Sequence, residues 1–108
     1  MKNALIIGAS GGIGRAMCEA LTERGVAVTG LSRSEDRLDV TDEASIETAL
    51  GRLDSPFDLI FVATGALEID GTTPEKALKH IEPKAMMDQF RLNCIGPSLV
   101  LKHAVRLL

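Results

Sequence analysis

Seven residues, Gly8 to Gly14 (GASGGIG), hold four glycines between an apolar run and a run of helical period. Ala4, Leu5, Ile6 and Ile7 precede them without a polar break; Ile13, Ala16, Met17, Ala20 and Leu21 follow at three- and four-residue intervals. A strand that turns directly into a helix exposes the unpaired N–H groups and the positive dipole end of that helix. With almost no side chains in the way, a diphosphate can approach those groups closely. Gly8, Ser10, Gly11, Gly12, Ile13 and Gly14 are therefore the candidate diphosphate ligands. The spacing is G-x-x-x-G-x-G, distinct from G-x-G-x-x-G, and no P-loop lysine follows. A tight strand-to-helix turn that binds nothing is the competing reading of these residues alone.

A second group stands about twenty residues further on, where a dinucleotide fold meets the adenosine ribose. There the chain reads Ser32, Arg33, Ser34. An acid at this place repels a 2′-phosphate, whereas a guanidinium fork suits one and hydroxyls add hydrogen bonds. This favours NADP(H) over NAD(H), with Glu35 or Asp36 on an unphosphorylated ribose as the alternative. A third feature is the pair Gly96–Pro97 inside an apolar helical run. Pro97 has no N–H to give to the carbonyl of Asn93, four residues earlier, so that carbonyl is left for water or another partner. A kink that only fits the helix to its neighbours is the other explanation.

The elements that must position these groups follow in order. The first helix reaches about Arg24 with Gly25 beyond its last turn, and Val26 to Leu31 forms the second strand. Strand, helix and strand within about thirty residues make a right-handed parallel βαβ unit. Leu38 to Val40 is the candidate third strand, although only six residues separate it from the second, too few for a helical crossover. Thr41 or Asp42 caps the next helix, which runs to about Leu50 and stops at Gly51. Asp58 to Ala63 is a fourth, almost wholly apolar strand that ends in Thr64 and Gly65. Carboxyl ends of parallel strands are where α/β sheets bind ligands, so Gly8, Ser32, Asp39 and Gly65 should converge on one crevice. Leu67 to Glu82 reads as a surface excursion, with one helical turn beginning near Thr73–Pro74. From Pro83 a long helix carries Ala85, Met86, Phe90, Ile95, Leu99, Val100, Ala104 and Leu107 on its apolar side.

Composition bounds the rest. A chain of 108 residues, 45% of them hydrophobic, makes one domain with a modest core. A net charge of −3 with scattered Lys and Arg offers no footprint for nucleic acid or a membrane surface. The apolar run ending at Gly8 is too short for a signal peptide, and no stretch approaches a membrane span, so a cytoplasmic location is expected. Cys18 and Cys94 read as reduced residues on helix faces, and no metal site is expected.

Taken together, these residues resemble the short-chain dehydrogenase/reductase family from Lys2 to Leu108. GASGGIG is similar to that family's TGxxxGxG turn, with Ile7 where Thr is usual; Asp39 and Val40 are similar to its adenine-contacting acidic dipeptide. Val62 to Gly65, VATG, stands where the family has NNAG; both asparagines are absent, and the resemblance leaves Ala63 to offer its backbone to the ribose. Asn93 falls on the helix asparagine whose main-chain carbonyl holds a water of the proton relay, which makes it the one catalytic-relay residue implied here. The family's basic residue for NADP, before the motif's second glycine, is replaced by Gly11, so the NADP(H) preference rests on Arg33. Pro74 to Leu108, with PEKAL, IGP and LVLKH, resembles the branch named for the C-factor signalling protein.

The resemblance implies an α/β fold, a three-layer Rossmann-type parallel sheet with strand order 3-2-1-4 present and the remainder of seven strands missing. Residues 1–108 would be one NAD(P)-binding Rossmann-like domain. Family members are about twice this length and finish catalysis with a Ser and a Y-x-x-x-K pair; this chain has no tyrosine. The expected function is the NADP(H)-binding portion of an oxidoreductase that, when complete, acts on a small-molecule carbonyl or alcohol by hydride transfer. A non-catalytic nucleotide-binding or cell-signalling module of the same fold is the alternative. The fourth strand would be left as an open edge and the last helix with a bare apolar face, so a longer protein or a homo-oligomer is expected.

Overall fold

A computed structural model describes residues 1–54 and 56–108. Its centre is β1 (Asn3–Ile7), with β2 (Ala27–Leu31) and β3 (Leu59–Val62) parallel on either side, in the order β2-β1-β3. Leu5 stands opposite Thr29 on one side and Ile60 on the other. Ala4, Leu5, Ile6 and Ile7 have no exposed surface, as expected for a central parallel strand covered on both faces. Leu5 and Ile7 enter the main core with Ile46, Leu50, Val100 and Leu107. By the two-residue alternation of a strand, Ala4 and Ile6 face the other way, toward α1 (Gly12–Glu23). Helix, sheet and helix make the three layers expected.

The third strand does not form. Ser32 caps the single turn α2 (Arg33–Asp36), which ends at Arg37 in the left-handed region, φ +56°. Beyond it the donors a ladder would need are taken locally: the Asp39 N–H bonds Ser45 Oγ at 2.9 Å, and the Thr41 N–H bonds Asp39 Oδ1 at 2.9 Å. Leu38 and Val40 are buried, 3% and 5% exposed, so their apolar character reports core packing and not strand pairing. The expected order 3-2-1-4 is present as its 2-1-4 portion.

Asp42, whose carboxylate accepts from the Ala44 N–H at 3.1 Å, caps α3 (Glu43–Gly51); Gly51 is its last residue, not the one beyond. Arg106 Nη2 donates to the carbonyls of Leu50 (2.7 Å) and Leu53 (3.2 Å), adding a charged donor at and just past the C-terminal end of α3. After β3, an isolated bridge pairs Ile69 with Thr72, and the short helical turn lies at Leu78–His80, not at Thr73–Pro74.

The long final helix is three pieces: α4 (Pro83–Phe90), a widened π turn over Arg91–Ile95, and α5 (Gly96–Ala104). The Gly96 N–H donates to the Arg91 carbonyl, five residues back, and Pro97 falls in the first turn of α5, where a missing donor is tolerated. The apolar side divides accordingly. Val100, Ala104 and Leu107 are buried, with Leu92 and Leu99 packed against the core, whereas Met86, Phe90 and Ile95 are exposed. The extra residue of the π turn shifts the helical register, and α5 packs on α3 and β3 while α4 contacts mainly the turn after it. Glu43 ties this arrangement together, accepting from Lys102 Nζ at 2.7 Å and paired with His103 Nε2 at 2.8 Å.

Gly96 is where α5 meets the 38–40 segment. A Cβ there would stand 2.8 Å from Val40 Cβ and 3.0 Å from the Val40 carbonyl oxygen. Gly96→Ala is expected to destabilise the domain by about 1–3 kcal/mol, read from the urea midpoint at unchanged slope.

Candidate functional site

The glycine turn divides into residues that hold it and residues that keep it bare. Gly8 has φ +88°, and a Cβ on it would lie 2.8 Å from the Ala63 carbonyl oxygen; one on Gly14 would lie 1.9 Å from the Gly8 carbonyl oxygen. These two are required by geometry and close approach. The N–H groups of Gly8 and Ala9 both donate to the Leu31 carbonyl, at 2.8 and 3.1 Å, which pins the turn to the end of β2. A Cβ on Gly12, by contrast, would meet nothing within 4 Å, and one on Gly11 would have ordinary contact only. Their lack of side chains serves no packing purpose. Gly11 is the N-cap of α1 with no side-chain cap, and no acid stands in the first turn, so the positive end of a 12-residue helix faces outward past Ser10, Gly11 and Gly12. Ile13, 71% exposed, stands beside it.

At the end of β2, Ser32 is 5% exposed and its hydroxyl accepts the Glu35 N–H at 3.2 Å, while its own N–H donates to Asp36 Oδ2 at 2.8 Å. This reciprocal cap occupies both Ser32 and Asp36 and leaves Arg33 exposed at the first helical position. Asp39 accepts from the Thr41 hydroxyl at 2.6 Å and from its N–H at 2.9 Å. These bonds hold its carboxyl below the ordinary value of 3.8; partial burial opposes them, and the charge of Arg33 adds to the lowering. Val40 turns its side chain into the core against Gly96, leaving its backbone as what it can offer a ligand.

A group with a depressed folded pKa stabilises above its unfolded value, and that contribution is lost as pH falls through the folded value. Asp39→Asn is therefore expected to flatten the acid limb of the stability profile below about pH 4, leaving the neutral region little changed apart from the bonds lost. Melting temperatures of both proteins across that range check it.

The end of β3 completes the crevice. The Ala63 N–H donates to the Ile7 carbonyl at 2.7 Å, carrying the strand's direction one residue past its end. Ile13, Phe61 to Leu67 and Asn93 line an open cleft of about 540 Å³. In its wall the Thr64 hydroxyl is buried and, among the described residues, has no hydrogen-bond partner. The structure thus brings Gly8, Ile13, Ala63, Gly65 and Asn93 to one place, with Ser32 and Arg33 at the neighbouring strand end joined through Leu31.

Asn93 does more than its main chain suggests. Its Oδ1 accepts the Ala66 N–H and its Nδ2 donates to the Ala66 carbonyl, each at 2.9 Å; Nδ2 also donates to Gln89 Oε1 at 2.8 Å. Gln89 and Thr64 were not apparent as site residues, although two amides four residues apart on one helix face are a readable pattern. The 67–82 excursion is also less idle than expected. With α4 it encloses a second cavity of about 330 Å³, and Leu67 lines both.

Fold and topology together define a doubly wound α/β protein whose first helix starts without a side-chain cap. Residues 4–89 match the NAD dependent epimerase/dehydratase family. The 3-oxoacyl-[acyl-carrier-protein] reductase FabG of Escherichia coli is 40% identical over 108 residues, covering 85% of this chain and 43% of its own length. A solved structure described as a short-chain alcohol dehydrogenase from Burkholderia multivorans superposes with a TM-score of 0.86 at 26% identity, over 99% of this chain and 57% of that one. A small-chain dehydrogenase in complex with NADPH superposes with a TM-score of 0.82 at 24% identity, over 99% and 46%. The chain belongs to the NAD dependent epimerase/dehydratase family and, with these relatives, to the short-chain dehydrogenases/reductases. It spans about half the length of the relatives it matches. Those relatives add no support for the C-factor branch.

Proposed function

We propose that the chain is the NADP(H)-binding portion of a short-chain dehydrogenase/reductase which, in complete form, interconverts a small-molecule carbonyl and its alcohol. The observation that carries this is the bare, uncapped start of α1, where Gly12 has room for a side chain and has none. The unpartnered Thr64 hydroxyl in the cleft wall fits the same group, since a buried hydroxyl without a partner is costly and a ligand or its water can supply one. The first-turn N–H groups of α1, from Gly12 onward, would take the diphosphate, with Ser10 beside them. Arg33 would take the 2′-phosphate, the Asp39 carboxylate with the Val40 and Ala63 backbone the adenosine, and Gly65 would let the ligand approach the backbone closely. When bound, the nicotinamide supplies or accepts the hydride.

Asn93 would serve a proton relay through its main-chain carbonyl, to which Pro97 cannot donate. The chain has no tyrosine, the acid that the family it resembles uses. The reductase name of the E. coli relative and the NADPH held by a structural neighbour support the reaction class and the cofactor. Among the described residues no helix is long and apolar enough to cross a membrane, and a cytoplasmic location belongs to the same proposal. So does a homo-oligomer, supported by the exposed Met87, Phe90, Leu101 and Val105 along the final helix.

Titration with NADPH and NADH, followed by the fluorescence of the reduced nicotinamide, tests the reading. NADPH is expected to bind at least about tenfold tighter, the effect of one charge-assisted contact. Equal affinities would remove the 2′-phosphate role of Arg33, and no binding of either would overturn the proposal.

A further inference from the structure

The loop that leaves β3 has no amide side chain of its own: it runs Ala63, Thr64, Gly65, Ala66, Leu67. Its backbone is nevertheless held at three polar groups of two adjacent residues, by side chains from α4 and the π turn. Asn93 takes the N–H and the carbonyl of Ala66, and Gln89 Nε2 donates to the Leu67 carbonyl at 2.6 Å. The two side chains are joined by the bond from Asn93 Nδ2 to Gln89 Oε1. The result is a closed ring of hydrogen bonds through two side-chain amides and the backbone from the Ala66 carbonyl to the Leu67 carbonyl, which fixes two successive peptide units through their carbonyls. Every amide group in the ring has a defined direction. Gln89 must present its oxygen to Asn93 because its nitrogen is committed to Leu67.

We infer that Gln89 is a positioning residue for the dinucleotide: with Asn93 it sets the Thr64–Leu67 backbone where it can meet the nicotinamide half. Asn93 is exposed, so water competes for its bonds to Ala66, and the second Nδ2 hydrogen held by Gln89 keeps the amide from turning away. Gly65 shows how close the fit is, since a Cβ there would lie 3.0 Å from Asn93 Oδ1. The inference rests on the nucleotide reading for its ligand but not for the ring itself. Arg33 and the Asp39 segment belong to other strand ends, so the ring's effect should be confined to one half of the nucleotide.

Two variants test it in the full 108-residue chain. Gln89→Leu removes both bonds at similar volume; Gln89→Glu keeps an acceptor for Asn93 and removes the donor to Leu67. Amide hydrogen exchange in the nucleotide-free protein reads the ring, and affinities for NADPH and for adenosine 2′,5′-bisphosphate, which lacks the nicotinamide half, read its consequence. Gln89→Leu is expected to speed exchange at Ala66 and weaken NADPH by about five- to tenfold, the worth of one or two such bonds, with the bisphosphate and the Ile6 amide unchanged. Gln89→Glu should keep intermediate protection at Ala66. Unchanged Ala66 exchange in Gln89→Leu would overturn the inference, as would equal weakening of both nucleotides, which marks a general loss of structure. Should the unaltered chain bind neither nucleotide, the nucleotide reading fails and the positioning role with it, while the exchange data still report whether Gln89 braces the loop.

Discussion

Gly12→Ala is expected to leave the domain as stable as before, or about 0.5–1 kcal/mol more stable, and to weaken NADPH by more than tenfold. The methyl group meets nothing within 4 Å among the described residues, and the residue sits at the start of a helix, where alanine has the better propensity. Any loss of affinity must therefore arise from the ligand's own approach. A methyl group standing over the first-turn N–H groups holds a phosphate oxygen beyond hydrogen-bond range, and each lost bond to a charged oxygen is worth about 1.5–3 kcal/mol. Gly14→Ala is the opposite case. Its Cβ would fall 1.9 Å from the Gly8 carbonyl oxygen, a backbone atom that cannot swing aside as a side chain can. A destabilisation of about 3 kcal/mol or more is expected, a large fraction of a small domain's stability. Urea unfolding and NADPH titration on the two variants separate a glycine needed for binding from one needed for folding. If Gly12→Ala binds NADPH as the unaltered chain does, the diphosphate does not lie against the start of α1.

The part of this site that could be read from the sequence is the part written in backbone requirements. Four apolar residues, a run of glycines and a helical period admit few structures, and β1, the turn and α1 stand where those signals put them. Parallel neighbours for β1 follow from the same βαβ logic. The 38–40 segment went differently because Leu38 and Val40 announce burial, and burial is not pairing: Ser45 and the Asp39 carboxylate had taken the donors a ladder needs. The apolar side of the last helix is similar. Apolar type at Met86, Phe90 and Ile95 says what should be covered, but the π turn moves these residues off the face that α5 buries. Asn93 was legible through Pro97, a main-chain argument; its side-chain bonds to Ala66, 27 residues away, depend on a tertiary contact that no local pattern specifies.

Arg33→Ala is expected to weaken NADPH by about ten- to a hundredfold and to leave NADH unchanged, because the guanidinium meets only the group by which the two differ. The local structure makes this a clean experiment. Ser32 and Asp36 cap α2 through their own atoms, and Arg33 contributes no bond to that cap beyond its backbone, so removing its side chain leaves the strand end in place. The change should also be felt at Asp39, whose carboxyl is held low partly by the charge of Arg33; without it the pKa moves back toward 3.8, though the Thr41 bonds remain the larger influence. At neutral pH Asp39 is ionised in both proteins, so the loss of NADPH affinity cannot be ascribed to its protonation. Arg33 is exposed, and its attraction for a phosphate is screened by salt. The preference for NADPH should therefore shrink as ionic strength rises, and the salt dependence should be shallower in Arg33→Ala. Arg33→Glu should go further and favour NADH, since a carboxylate repels the 2′-phosphate and can accept from the free ribose hydroxyl. A preference that survives both substitutions would assign the 2′-phosphate to another cation, with Arg37 at the end of the same helical turn the first to substitute, and would leave Arg33 as a solvated helix-start residue.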